Sequence, residues 1–334
     1  RKLWANIVNA YTGGCARKMF THAVTSGWNI TAYDPYVNML RGTTEAMSAS
    51  LAGVHSLEVL PFDTAYESPT EFSSRIARNV QLLLKNESHF DNVVDPAGGS
   101  YYIENLTQSI AEQAWKLFKE VEERGGYTAA FRDGFIPDAV KASAEAKDNA
   151  VATRRIVLLG TNQYPNFNEV ADSAITEACI TPQAWDAKVL RPYRGGMAFE
   201  QLRLKVDRSG RSPRAFMLTC GTLAMARARS QFACNFFACA GIRVVDNTFF
   251  HSVEEGAKAA LDSGAEIVVI CAADDDYATL APKAKELLGE RALFVVAGAP
   301  ASQPELEAQG ITRFISVRSN VLETLREYVK ELGI

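Results

Sequence analysis

The chain has 334 residues, 47% of them hydrophobic and 22% charged, and a formal net charge of −4. That balance supports a sizeable buried core and leaves no basic footprint for nucleic acid. No apolar run approaches the ~20 residues a membrane helix needs, and the opening residues do not read as a signal peptide.

The first stretch, RKLWANIVNAY, carries Trp4, Ile7, Val8 and Tyr11 at three- and four-residue steps, the pattern of an amphipathic helix. It reads as a helix already under way, so the natural chain is expected to continue upstream. KMFTHAVTSG then reads as a strand and loop. DPYVNMLRGTTEAMSASLAG follows as a helix, with Asp34 as its N-cap and Pro35 in its first turn. SLEVLP is a second strand. SPTEFSSRIARNVQLLLKNES is a helix that starts near Ser68 or Thr70. DNVVDPAGGS is expected to give a short strand and a turn. The long helix YYIENLTQSIAEQAWKLFKEVEERGG is expected to start after Ser100 and stop at Gly125. Strand–helix alternation of this kind means parallel strands covered by helices. With only two or three such units visible, residues 1–126 are either a small open sheet or the last part of a closed eight-unit barrel, which needs about 250 residues.

Residues 127–213 are less regular, rich in Pro, Gly and Arg, and read as a connector that ends at DRSGRSPR. From residue 214 the rhythm is clean. Strands AFMLTC, IRVVD, EIVVICAA, LFVVAG and RFISV alternate with helices near 223–240, 252–263, 276–289, 302–309 and 319–332. Five such units predict a flavodoxin-like, doubly wound domain over 214–334.

In that architecture chemistry belongs to the loops that follow strands one, three and four. The first reads GTLAMAR and lacks GxGxxG, so a dinucleotide is not expected; Thr222 is placed to cap the helix. The loop after strand three carries Asp274, Asp275 and Asp276, which read either as helix-capping acids or as a Mg²⁺ or amine site. The loop after strand four carries Gly298, which suits a tight turn. Arg227 and Arg229 read as solvent-facing residues or an anion site. In the first region His22 and His55 stand near strand ends, with Glu58 and Asp63 nearby. Arg75 and Arg78 share a helix face, where they are placed to hold a phosphate or to pair with Glu71. The cysteines Cys15, Cys179, Cys220, Cys234, Cys239 and Cys271 form no CxxC pair and no zinc spacing. They read as buried, reduced thiols, which suits a cytoplasmic setting, and no metal site is expected.

Three stretches, SGWNITAYDPYVNMLRGTTEAMSASLAG, PTEFSSRIARNVQLLLKNES and DPAGGSYYIENLT, resemble the late barrel segments of the methylmalonyl-CoA mutase family. The resemblance continues through Gly125–Gly126 and, more weakly, over 214–334. It implies an α/β fold: the C-terminal part of a (β/α)₈ barrel that binds acyl-CoA, followed by a flavodoxin-like cobalamin-binding-type domain. The family's reaction interconverts succinyl-CoA and methylmalonyl-CoA by a radical rearrangement that adenosylcobalamin initiates.

Catalytic chains of the family read KMGQDGHDRG in the first loop. Counting back from ACAGIRV places the cobalt-ligating His position on Ala226, the Asp position on Ala224, the Lys position on Cys220 and the last Gly on Arg229. The family's SSLAGGH falls on CAADDDY, so Ala272 opens an acidic turn, and its GG pair falls on Ala297–Gly298. In the barrel, HCQTSGW is matched by HAVTSGW, which keeps His22 but puts Val24 at the Gln position. GGTQSLHTN is matched by AGVHSLEVL, with His55 at the second Gln. These are degenerate cobalamin-loop and acyl-CoA-pocket positions: scaffold residues persist while ligand-contacting types change. The pattern resembles the small chain of two-chain bacterial mutases. It implies no catalytic residue and no cofactor in this chain, with adenosylcobalamin held by a catalytic large-subunit partner. The alternatives are an autonomous acyl-CoA mutase with atypical cobalamin binding, or a regulatory module that binds another small molecule.

Overall fold

The computed structural model describes residues 1–334 apart from Ala16 and Thr248. The chain forms two compact units. One comprises Arg1–Ile30, Pro35–Ala146 and Pro182–Arg194, and the other Thr31–Asp34, Lys147–Thr181 and Gly195–Ile334.

The first unit opens on helix α1 (Lys2–Thr12). Strand β1 (His22–Val24), helix α2 (Val37–Leu51) and strand β2 (Ser56–Glu58) make a βαβ unit whose strands pair in parallel, His22 opposite Ser56 and Val24 opposite Glu58. Helix α3 (Glu71–Asn86) starts where Thr70 accepts a hydrogen bond from the Ser73 amide, and the Ser73 hydroxyl closes the capping box. Buried Asp63 steadies this entry by accepting from the Thr70 amide at 3.3 Å. Helix α4 (Tyr101–Glu123) ends where Gly125 and Gly126 take φ of 88° and 86°, and α5 (Tyr127–Arg132) and α6 (Phe135–Ala152) follow.

Two local expectations are corrected here. Asp34 is not the N-cap of α2: it sits at φ 49°, whereas a capping residue needs extended backbone, and the helix begins three residues later, after Tyr36. The stretch from Asp91 to Ser100 forms no strand. Phe90–Asn92 is a 3₁₀ turn, and Val94 is 94% exposed with no strand alongside it, so the β-branched pair Val93–Val94 has nothing to pair with. Residues 127–213 also carry more helix than their composition suggests. Besides α5 and α6 they contain α7 (Glu177–Ile180) and α8 (Met197–Arg208).

The second unit is built on five parallel strands: β3 (Arg214–Thr219), β4 (Arg243–Val245), β5 (Ile267–Cys271), β6 (Leu293–Ala297) and β7 (Phe314–Ile315), in the order β4-β3-β5-β6-β7. Each lies within two residues of the sequence-based expectation at its start. The helices between them are α9 (Leu223–Ala238), α10 (Val253–Ser263), α11 (Tyr277–Leu288), α12 (Gln303–Ala308) and α13 (Val321–Glu331). β5 is buried throughout, as a parallel strand covered on both faces must be. On one face Phe216, Leu218, Val268, Ile270 and Val296 pack with Ala257 and Ala260 of α10 and Ala281 and Ala284 of α11. The small helical residues let the backbone approach the sheet, and each buried Leu, Ile or Val stabilises the core by about 1.5–3 kcal/mol. Elsewhere in the unit Phe237 of α9 meets Tyr328 of α13, ring centroids 5.5 Å apart.

A buried polar knot lies at the amino ends of β3 and β4. Arg203, on α8, stacks 4.4 Å over the Tyr33 ring and donates to the Glu169 carbonyl at 2.9 Å. The Tyr33 hydroxyl donates to Asp207 at 2.9 Å. Burial pushes the Glu169 carboxyl above the ordinary range, partly offset by the Asp34 amide, which donates to it at 2.6 Å. Glu169, Arg203 and Asp207 line a cavity of about 430 Å³ there, at the opposite end of the strands from their carboxyl-end loops.

Candidate functional site at the carboxyl ends of the strands

The strand order reverses between β3 and β5, so a crevice is expected where their carboxyl ends diverge. Three loops meet there: Cys220–Thr222 after β3, Ala272–Asp276 after β5, and Gly298 after β6. The first is short. β3 ends at Thr219 and α9 starts at Leu223, so Ala224, Ala226 and Arg229 are all helical. Ala226 is wholly buried, at 0% exposure, while Ala224 faces solvent. Cys220 is buried as well, and that burial, with the Asp276 carboxylate as a smaller contribution, pushes its thiol up to about 11. A thiol held protonated is a poor ligand and a poor nucleophile.

The acidic turn is a 3₁₀ segment, Asp274–Asp276, directly before α11. Its acids do not cap that helix, since Asp276 precedes α11 without a side-chain cap bond. They reach across to the neighbouring loops instead. Asp274 accepts a 2.9 Å charged hydrogen bond from Arg229, and Asp276 accepts from the Thr222 amide at 3.3 Å. Arg229 is thus tied to Asp274 and not free in solvent, while Arg227 is exposed. Thr222 precedes α9 but makes no side-chain cap bond. No cluster of metal-ligating side chains occurs among the described residues.

Tyr277, which composition did not single out, fastens the remaining two loops. Its hydroxyl donates to the Ala297 carbonyl at 2.7 Å and accepts from the Ala272 amide at 3.1 Å. Ala272 and Ala297 are both wholly buried. Gly298 has no room for a side chain: a Cβ there would lie 3.0 Å from the Tyr277 ring and 3.1 Å from the Asp274 carboxylate.

In the first unit His22, Val24 and His55 come from β1 and the start of β2. His22 Nδ1 lies 2.8 Å from Ser56 Oγ and its Nε2 lies 4.0 Å from Glu58. His55 accepts from the Thr21 amide at 3.1 Å and its ring lies 4.9 Å from that of Phe20. Val24, opposite Glu58, is half exposed. Asp63 is drawn away from this group to the start of α3, and Arg75 and Arg78 are exposed on that helix.

These features define an α/β protein with parallel strands whose switch-point loops are fastened by the chain's own side chains. Residues 1–195 match the family model described as methylmalonyl-CoA mutase, and the chain belongs to that family. It is 53% identical over all of its length to the methylmalonyl-CoA mutase small subunit of Porphyromonas gingivalis, of which it covers 55%. It is 35% identical, over 83% of its length, to the small subunit from Streptomyces virginiae, of which it covers 45%. It is 33% identical, over all of its length, to a probable small subunit from Mycobacterium tuberculosis, of which it covers 54%. The chain therefore spans about half the length of these relatives.

Proposed function

We propose that the chain is part of the small subunit of a two-chain, adenosylcobalamin-dependent methylmalonyl-CoA mutase, and that it supports a catalytic large subunit without carrying a catalytic site. In this reading residues 1–126 are the end of a (β/α)₈ barrel, 214–334 are a flavodoxin-like domain of cobalamin-binding type, and 127–213 connect the two. The succinyl-CoA to methylmalonyl-CoA isomerisation, the adenosylcobalamin and the cytoplasmic setting belong to the assembled enzyme.

One observation carries the reading. The position at which the family's catalytic chains place the cobalt-ligating His is Ala226, which has no lone pair and is wholly buried within α9. The residues present do not fit a His-ligated cobalt. Arg229, at the position of the family motif's last Gly, adds a long side chain that is ion-paired with Asp274, and Gly298 is tightly packed. The Ala272–Asp276 loop adds negative charge and has no serine or threonine of its own. The chain is left with a folded surface that stabilises a partner by binding only its native state.

The test mixes this chain with a catalytic large subunit of the family and with adenosylcobalamin. The chain alone is expected to leave the cobalamin spectrum unchanged and to convert no succinyl-CoA. The large subunit's activity and thermal midpoint are expected to rise when the chain is added. A base-off, His-ligated spectrum from the chain alone would overturn the reading.

A further inference from the structure

The acidic turn 274–276 enters the proposed function only as added charge, yet its side chains link the loops at the strand ends. Each of its two inward carboxylates lies where a glycine on an adjacent loop has left space. A Cβ on Gly298 would come within 3.1 Å of Asp274 Oδ1 and 3.7 Å of the Arg229 guanidinium carbon. A Cβ on Gly221, which sits at φ 79°, would come within 2.5 Å of Asp276 Oδ2. Asp274 is held by Arg229 at 2.9 Å, with side-chain exposures of 47% and 22% respectively, and Asp276 is held by the Thr222 amide. Asp275, between them, is exposed.

We propose that this turn is an internal latch. Asp274 and Asp276 fill the volumes left by Gly298 and Gly221, and the Arg229–Asp274 pair closes the three loops over the crevice in place of a ligand. The glycines of these loops then serve the chain's own carboxylates and not an incoming molecule. A ligand bridges loops by contacting all of them at once. Here the loops are bridged from within: Asp276 of the second takes the Thr222 amide of the first, while Asp274 pairs with Arg229 of α9 and lies against Gly298 of the third. The bridge is partly exposed, so it weakens as salt screens it.

A charge-reversal cycle and a packing variant on the full 334-residue chain test the latch, read by amide hydrogen exchange at residues 220–222 and 297–299. Arg229→Asp sets two carboxylates against each other, and Asp274→Arg sets two guanidinium groups. Each should speed exchange at both loops by roughly twofold to a hundredfold, the range that pairwise coupling supports. The double variant should restore slow exchange. Gly298→Ala should loosen the same amides, because its methyl group would meet the Tyr277 ring at 3.0 Å and the Asp274 carboxylate at 3.1 Å. Asp275→Ala is the control and should change neither loop. A double charge-reversal variant that is as loose as its two single variants added together would overturn the latch. The readout uses no cobalamin, so such a failure would leave the proposed function standing.

Discussion

Placing a histidine at residue 226 asks most directly whether the loop after β3 can still hold a cofactor. If it were an open cofactor loop, Ala226→His would restore the missing ligand at little cost. The structure predicts otherwise. Residue 226 is inside α9 and has 0% exposure, so an imidazole has to be forced between the helix and its packing partners. Overpacking a core position costs about 1–3 kcal/mol, and leaving the ring's nitrogens buried without partners costs about a further 1–3 kcal/mol. The expected destabilisation is therefore about 2–6 kcal/mol. At a urea dependence of about 2 kcal/mol per molar, the midpoint of the second unit should fall by about 1–3 M. All four tryptophans lie in the first unit, so indole fluorescence would miss this change. Denaturant-dependent amide exchange in β3 and β5 is the suitable assay. Ala224→His, exposed on the same helix, is the control and should stay within about 0.5 kcal/mol of the parent. An Ala226→His chain of unchanged stability that shifted added cobalamin to a His-ligated spectrum would refute the reasoning.

Further expectations rest on particular contacts. Tyr277→Phe removes the donor to Ala297 and leaves the buried Ala272 amide without an acceptor, so it should cost the second unit about 1–3 kcal/mol, read by the same exchange experiment. Thr70→Ala breaks the capping box of α3 and should lower the stability of the first unit by about 1 kcal/mol, visible in tryptophan fluorescence. The thiols should divide by burial: exposed Cys15 should react with iodoacetamide in the native chain at pH 8, while Cys220, Cys234, Cys239 and Cys271 should stay unmodified until the chain unfolds. Burial pushes Cys220 up to about 11 and Cys234 up to about 12 from an ordinary 9.0. The unfolded chain therefore loses these protons first. Stability is unaffected by them below pH 9 and falls as pH rises from there through 11–12, which a pH series of thermal midpoints checks.

The second unit was largely legible in sequence because runs such as EIVVICAA have few alternatives. A short, wholly apolar segment bounded by turns fits a parallel strand buried on both faces, and β5 is one. The first unit was less legible because its strands are three residues long and its local signals conflict. Val93–Val94 has strand chemistry but no neighbour, and Asp34–Pro35 has the chemistry of a helix start but the wrong backbone angle. For the crevice, counting along the chain singled out Ala224, Ala226 and Arg229, and the helix expected near 223–240 already contained all three. It could not show that Ala226 is wholly buried. The partners of the acidic turn were out of reach for another reason: Arg229 and Asp274 are 45 residues apart, and Thr222 and Asp276 are 54 apart. Pairing at that separation is set by strand order, which no local pattern encodes.

That separation also bears on how a strand-end crevice can be completed without a ligand. Strand ends that diverge leave loop amides and carbonyls facing a space, and each needs a partner or water. In this chain Tyr277 supplies a hydroxyl to both the Ala272 amide and the Ala297 carbonyl, and Asp276 takes the Thr222 amide. Three backbone groups at the strand ends are thus satisfied by residues from one short segment, the acidic turn and the first residue of α11. A segment that does this needs no ligand to complete the sheet edge. It also leaves little for a ligand to gain, because binding would have to break the Arg229–Asp274 pair and expose the glycine backbones before making any contact of its own. On the proposed function, the alanine at 226 and the acidic turn therefore reinforce each other: placing a histidine there without removing the aspartates should not open the crevice.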